Sequence, residues 1–151
     1  MKNLFFNLYT HDFARVAVAT PRLRVADPAF NAAETIALAR QAHAQGAVLV
    51  AFPELGLSAY TCEDLFHQRA LQDACEAALQ EVVAESTLLD IVIVVGMPVR
   101  SQHLLFNCAV VVAGGRILGV VPKSFLPNYG EFYESRQFSP ADCALEAMVA
   151  R

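Results

Sequence analysis

The chain has 151 residues, of which 56% are hydrophobic and 17% are charged, and its formal net charge is -4. This length and apolar content allow one domain with a buried core and argue against intrinsic disorder. Only 11 residues are Lys or Arg, and they form no basic stripe, so no nucleic-acid partner is expected. No apolar run of about 18 residues predicts a membrane span, so no membrane partner is expected either.

The cysteines and the histidines predict neither disulfides nor a metal site. The spacing of the four Cys fits no disulfide pair and no set of metal ligands, and the four His show no metal-ligand spacing. Free thiols are typical of a cytoplasmic protein, and the amino terminus lacks the long apolar segment of a signal peptide. We therefore expect a cytoplasmic chain that holds no metal or cofactor. The four cysteines are Cys62, Cys75, Cys108 and Cys143.

The first third of the chain predicts a strand, a helix and a second strand. Residues 14–20 form a short apolar run, and residues 47–53 form another that is bounded by Gly46 and Pro53. The intervening helix has Asp27 as a candidate cap, followed by proline in its first turn. Alternatively, Asn31 and Glu34 form a capping box one turn later.

The rest of the chain predicts a helix over residues 63–85, a strand over 90–99 and a hairpin over 105–123. The hairpin turns at Gly114-Gly115, because glycine readily adopts the positive φ that a two-residue turn needs. Strands that alternate with helices are typical of an α/β layered fold.

Two charged residues follow predicted strands. Glu54 ends the strand at 47–53, and Lys123 ends the hairpin. Each taken alone is most often a solvated surface residue. Taken together, they suggest one pocket at the carboxyl ends of the strands, with Glu54 as a base and Lys123 as an oxyanion-stabilising cation. The Tyr- and Phe-rich segment after Lys123, with Glu131 and Glu134, fits a pocket for a small polar substrate or a packed aromatic loop.

Cys62 is a poor candidate for a nucleophile. It lies eight residues after Glu54, and Glu63 and Asp64 follow it directly. A reactive thiolate needs a positive environment, which two acidic neighbours do not supply.

Three longer motifs carry a family resemblance: "FPELGLSAY", "VVGMPV" and "PKSFLPNYGEFYESRQF". On these motifs the sequence resembles the nitrilase, or carbon–nitrogen hydrolase, superfamily, and the similarity covers roughly residues 13–141. The last motif, with "FPELGLSAYTCEDLF", is similar to the amino-terminal glutaminase domains of glutamine-dependent NAD+ synthetases. The resemblance implies the amino-terminal part of a nitrilase-type αββα sandwich, with glutamine as the substrate.

The resemblance also implies roles for individual residues. In this family a Glu–Lys–Cys triad cleaves the amide, so Glu54 is the expected general base and Lys123 the expected oxyanion-stabilising cation. Tyr60 and Tyr129 match pocket residues near glutamine. Glu131 matches the second carboxylate, which orients the Lys, with Glu134 as the less favoured choice.

The nucleophilic Cys of the family follows a later strand, beyond the "RQF" motif. We therefore expect residues 1–151 to be a partial glutaminase domain that lacks the nucleophile region and the synthetase domain. ATP and Mg²⁺ belong to that synthetase domain, which is the implied partner. The chain alone should be inactive, and an uncovered apolar sheet face should make it a homo-oligomer. The alternatives are a stand-alone nitrilase-like amidase and a non-catalytic module that binds glutamine or acts in assembly.

Overall fold

The described part of the chain contains one sheet of five strands, in which each strand lies beside the next one along the sequence. The computed structural model describes residue 5 and residues 7–144, so the carboxyl-terminal segment 145–151 lies outside the described residues. The strands are β1 (Val16–Val18), β2 (Leu49–Ala51), β3 (Val92–Ser101), β4 (Leu104–Ala113) and β5 (Arg116–Pro122). The helices are α1 (Pro28–Ala44), α2 (Arg69–Glu85) and the single turn α3 (Glu134–Gln137).

The sheet is mixed, and its topology brings two strand ends together. Strands β1, β2 and β3 are parallel, β4 is antiparallel to β3, and β5 is antiparallel to β4. Strand β5 therefore runs in the same direction as β2. The carboxyl ends of β2 and β5 consequently lie at the same edge of the sheet, where sites form in α/β folds.

Helices α1 and α2 cover one face of the sheet. Each connects two parallel neighbouring strands, and such crossovers share one hand, so both helices lie on the same side. Small residues of α1 and larger apolar residues of α2 pack against alternate residues of the central strands. The buried residues of this core include Ala32, Ala39, Ala42, Leu71, Cys75, Ala78, Val82, Val50, Ile93, Val95, Val110 and Val112.

Helix α1 begins where the aspartate–proline pair predicts. The Asp27 side chain accepts a hydrogen bond from the Phe30 backbone N–H at 3.2 Å, so Asp27 is the cap. The alternative capping box was wrong, because Asn31 is buried inside the helix. Its side chain instead bonds the backbone N–H and carbonyl of Arg24 and the carbonyl of Leu57.

The predicted helix over residues 63–85 was wrong in its first six residues. Residues Glu63–His67 form a 3-10 turn, and Gln68 is extended with φ -79° and ψ 127°. Glu63 itself has φ +50°, a left-handed conformation that the interior of a right-handed α-helix does not contain. The α-helix begins only at Arg69.

The second face of the sheet is apolar and partly open. Cross-strand register aligns Val18, Ala51, Val94 and Val111 in one row on this face. Val18 is 88% exposed, and the other three are half-buried. The described residues thus form one sheet and one helical layer, which confirms the predicted α/β class. No helix in residues 7–144 combines the length and apolar character needed to cross a bilayer.

The β4–β5 hairpin contains a bulge. It turns at Gly114 and Gly115, which both have positive φ, as predicted. The register then shifts, because Val112 pairs with Ile117 while Val111 pairs with Gly119. Leu118 is therefore an extra residue on β5.

Candidate active site

Glu54 is held at the end of β2 by a close approach to β3. The chain turns sharply after Pro53, Leu55 has φ +51°, and the Leu57 N–H bonds the Gly96 carbonyl at 3.0 Å. A Cβ on Gly96 would lie 2.4 Å from the Leu55 nitrogen and 2.7 Å from the Pro53 oxygen. Only glycine at position 96 leaves room for the turn that presents Glu54.

Lys123 follows β5 and is fixed through its backbone. Its N–H donates to the Asn107 carbonyl at 2.8 Å, which continues the β4–β5 ladder by one residue. Its own carbonyl accepts from the Ala141 N–H at 3.1 Å. The side chain therefore leaves the sheet from a defined position.

The Lys123 ammonium bridges two carboxylates. Its Nζ lies 2.7 Å from Oε1 of Glu54 and 3.0 Å from each carboxylate oxygen of Glu134. The same Glu54 oxygen also accepts a hydrogen bond from Nδ2 of Asn107 at 2.5 Å. Two residues that are 69 positions apart in the sequence thus meet at one edge of the sheet, as their strand-end positions predict.

The second carboxylate is Glu134, and the expected contact of Glu131 with Lys123 was wrong. Glu134 begins α3, its N–H bonds the Pro127 carbonyl at 3.2 Å, and its side chain is only 5% exposed. The loop folds back at Gly130, which has φ +61°. This reversal leaves Glu131 exposed and carries Glu134 inward.

The two predicted pocket tyrosines have different positions. The Tyr60 hydroxyl donates to Oε1 of Glu134 at 2.7 Å, so Tyr60 joins the charged cluster. Tyr129 is 74% exposed, and its ring contacts Phe132 edge-on at 6.0 Å between centroids. The structure therefore brings Tyr60, and not Tyr129, to the Glu54–Lys123 pair.

The electrostatics keep Glu54 ionised. Burial alone would raise the pKa of Glu54, but hydrogen bonds from Lys123 and Asn107 and the charge of Lys123 hold that pKa below its ordinary value. Burial opposes the charge of Lys123 as well, yet its bonds to Glu54 and Glu134 raise the pKa of the ammonium. Burial and the Glu134 carboxylate together raise the pKa of Tyr60, which therefore remains a hydrogen-bond donor.

A cavity of about 360 Å³ opens beside the Glu54–Lys123 pair. Its walls include the carboxyl end of β2, Gly96 of β3, and Asn107 and Cys108 of β4. A smaller cavity of about 50 Å³ is lined by Glu134 and Tyr60. The larger space, with a carboxylate and an ammonium on its wall, can hold a small amide near both groups.

The cysteines near this site are buried thiols. Cys62 is 1% exposed, its thiol donates to the Ser58 carbonyl at 3.0 Å, and burial raises its pKa. Cys108 borders the larger cavity, but burial raises its pKa to about 12. Neither thiol has the positive environment of a nucleophile. Among residues 7–144, no group of three His, Cys, Asp or Glu side chains could hold a metal ion.

Asn107 is the residue that sequence reasoning missed. It is 3% exposed, within a strand that otherwise reads as an apolar run. A buried amide is costly without hydrogen-bond partners, so a lone Asn in such a strand signals a polar contact. The sequence contained that signal but did not identify Glu54 as the partner.

Comparison with known proteins places these residues in a family. The carbon-nitrogen hydrolase family model matches residues 15–150. A glutamine-dependent NAD(+) synthetase of Mycobacterium tuberculosis is 51% identical over 138 residues, which cover 91% of this chain and 20% of that relative. This chain therefore spans about a fifth of the length of such relatives.

Two solved structures share the fold. A glutamine-dependent NAD(+) synthetase from Cytophaga hutchinsonii matches with a TM-score of 0.76 at 27% identity, over 84% of this chain and 22% of that one. An amidase from Nesterenkonia sp. matches with a TM-score of 0.73 at 24% identity, over 85% of this chain and 48% of that one, and shows the fold alone. Since the family model spans nearly all of the sequence, the chain belongs to the carbon-nitrogen hydrolase family.

Proposed function

We propose that this chain carries the base and the oxyanion-stabilising cation of a glutamine amidohydrolase. The ammonia would serve a ligase reaction that makes NAD+. The observation that carries the proposal is the Lys123 ammonium, 2.7 Å from Glu54 and 3.0 Å from Glu134, on the wall of a cavity at the sheet edge. The 51% identity to an NAD(+) synthetase supports this amidohydrolase over others of the family.

In the proposed reaction, a Cys thiol supplied from beyond the described residues attacks the side-chain amide of glutamine. Glu54 accepts the thiol proton and returns it to the leaving nitrogen, so that ammonia departs and a thioester forms. Lys123 stabilises the negative oxygen of the tetrahedral intermediate. Water then cleaves the thioester and releases glutamate.

The neighbouring residues have supporting roles in this proposal. Glu134 orients the Lys123 ammonium, and Tyr60 holds Glu134 through its hydroxyl. Tyr129 contacts glutamine from the exposed loop, while Glu131 has no part in orienting Lys123. A synthetase domain that binds ATP and Mg²⁺ would use the ammonia to amidate nicotinic acid adenine dinucleotide. Free thiols at all four cysteines fit the cytoplasm as the compartment.

The 151-residue chain alone should have no glutaminase activity. Its buried cysteines are poor nucleophiles, and loss of the nucleophile from a comparable triad lowers kcat on the order of 10⁶-fold. We expect no ammonia above background when the chain is incubated with glutamine, with Cys62→Ala as the matched control. Ammonia release that Cys62→Ala abolishes would contradict both the inactivity and the dismissal of Cys62.

Substrate binding tests the proposal without turnover. We expect calorimetry to detect glutamine binding, and we expect Glu54→Gln and Lys123→Met to weaken it, while Glu131→Gln leaves it unchanged. Tighter binding of a short aliphatic amide such as butyramide would instead favour a stand-alone amidase, which the fold shared with the Nesterenkonia amidase allows. The source gene beyond codon 151 separates the same two functions by encoding, or not encoding, an ATP-pyrophosphatase domain.

A further inference from the structure

We infer that Asn107 is a positioning residue that fixes both Glu54 and Lys123, and that it leaves Oε2 of Glu54 as the one oxygen free to accept a proton. Asn107 reaches the two residues in different ways. Its side-chain Nδ2 bonds Oε1 of Glu54, and its backbone carbonyl bonds the N–H of Lys123. The inference rests on the proposed role of Glu54 as the general base.

The two Glu54 oxygens differ in how many of their acceptor positions are occupied by hydrogen bonds. A carboxylate oxygen has about two acceptor positions. At Oε1, Asn107 donates at 2.5 Å and Lys123 at 2.7 Å, so both positions are occupied. Among the hydrogen bonds formed by residues 7–144, none reaches Oε2, and the neighbouring titratable groups are the Lys123 ammonium and the Glu134 carboxyl, which both interact with the Glu54 side chain and lower its pKa. A proton taken from a substrate or a thiol must therefore arrive at Oε2.

The orientation of the Asn107 amide is fixed by chemistry. If the amide were flipped, its oxygen would lie where Nδ2 is now, 2.5 Å from a carboxylate oxygen, and two acceptors would repel each other. The NH₂ group must therefore face Glu54. Because Asn107 is 3% exposed, water offers little competition for this bond.

The position of Asn107 in the sheet explains why one residue can control both groups. It lies in β4, the strand between β3, which supports the Glu54 turn, and β5, which leads to Lys123. In β3 it pairs with Pro98, two residues beyond Gly96. A shift of Asn107 would consequently alter the distance between the carboxylate and the ammonium.

The side-chain NH₂ resonance of Asn107 in the unaltered chain provides the first test. We expect one of its two protons to change chemical shift as the Glu54 carboxylate titrates, and we expect that change to be lost in Glu54→Gln. An Asn107 NH₂ signal that does not respond to the titration of Glu54 would overturn the inference. This measurement needs no substitution at position 107, so it decides the matter even if variants there fail to fold.

Asn107→Leu provides the second test, because leucine has nearly the same shape but no donor. With ¹³C-labelled Glu, the titration midpoint of Glu54 should rise, with proton binding tighter on the order of tenfold. Asn128→Leu is the matched control in an exposed loop and should leave the midpoint unchanged. A folded Asn107→Leu variant with the midpoint of the unaltered chain would refute the positioning role.

Neither test depends on turnover, so the two proposals can fail separately. A positive result for Asn107 together with no glutamine binding would contradict the amidohydrolase function alone. Glutamine binding together with an unresponsive Asn107 amide would contradict the positioning role alone.

Discussion

Replacing Lys123 with Met should destabilise the chain, because Lys123 is the ammonium between two carboxylates. Glu134 is 5% exposed, and without Lys123 the one side-chain hydrogen bond left to its carboxylate from residues 7–144 would be that of the Tyr60 hydroxyl. Removing one partner of a fully buried ion pair costs about 3–5 kcal/mol. Here the Lys123 side chain is 29% exposed and that of Glu54 is 42% exposed, so solvent screening lowers the expected loss to about 2–3 kcal/mol.

The loss should depend on pH in a defined direction. The pKa of Glu54 is lowered in the folded chain, so its stabilisation is present above its unfolded pKa of about 4.3 and disappears as the pH falls through the folded value. The pKa of Lys123 is raised, so its stabilisation is present below about pH 10.4 and disappears as the pH rises through the folded value. The difference between the two proteins should therefore be largest between about pH 5 and pH 10.

Urea unfolding of both proteins at several pH values measures this difference. Arg100→Met is the matched control, since it also exchanges a cation for Met but at an exposed residue of β3 with no ion pair in the described part of the chain. It should change the free energy of unfolding by less than about 0.5 kcal/mol. A loss in Lys123→Met as small as in the control, or one that stays constant down to pH 3, would refute the bridging role of the ammonium.

Two further predictions concern the turn before Glu54 and the open face of the sheet. Gly96→Ala should lower the free energy of unfolding in urea by about 3 kcal/mol, because the added Cβ would lie 2.4 Å from the Leu55 backbone nitrogen. Gly119→Ala is the control, since its Cβ would have no atom within 4 Å and should cause no such loss. Equal losses in the two variants would contradict the close approach at Gly96. The apolar face should make the chain self-associate, and sedimentation velocity should show this as the protein concentration rises. Val18→Lys should weaken the self-association more than Leu88→Lys, because Leu88 is exposed in the turn after α2 and not on the open face of the sheet. A monomer at all concentrations would count against this face as the contact.

The elements that the sequence predicted well are those with strong local signals. Asp27 caps α1, and the glycine pair turns the hairpin, because both effects act over a few residues. The start of α2 was missed, because a helical pattern of apolar residues gives no sign that Glu63 is left-handed and Gln68 extended. Tertiary packing of the preceding loop decides that boundary.

The site was partly predictable for a similar reason. The positions of Glu54 and Lys123 after strands predicted that they would meet, since strand direction determines which ends share an edge. The choice between Glu131 and Glu134 depends on how the loop reverses at Gly130, which no local pattern encodes. Asn107 was missed because it lies within a strand and not at its end, so strand direction did not predict its contact with Glu54.

The extra residue in β5 determines which way the lysine at its end points. Side chains alternate between the two faces of a strand, so a shift of one residue inverts every position beyond it. If Leu118 were paired in the ladder instead of bulged, the residue opposite Asn107 would be Pro122, and the ammonium would be turned away from Glu54. The bulge thus takes up one residue and keeps Lys123 opposite Asn107. Deleting the half-exposed leucine should remove the bulge, leave the register beyond it unchanged and preserve the acid–cation pair.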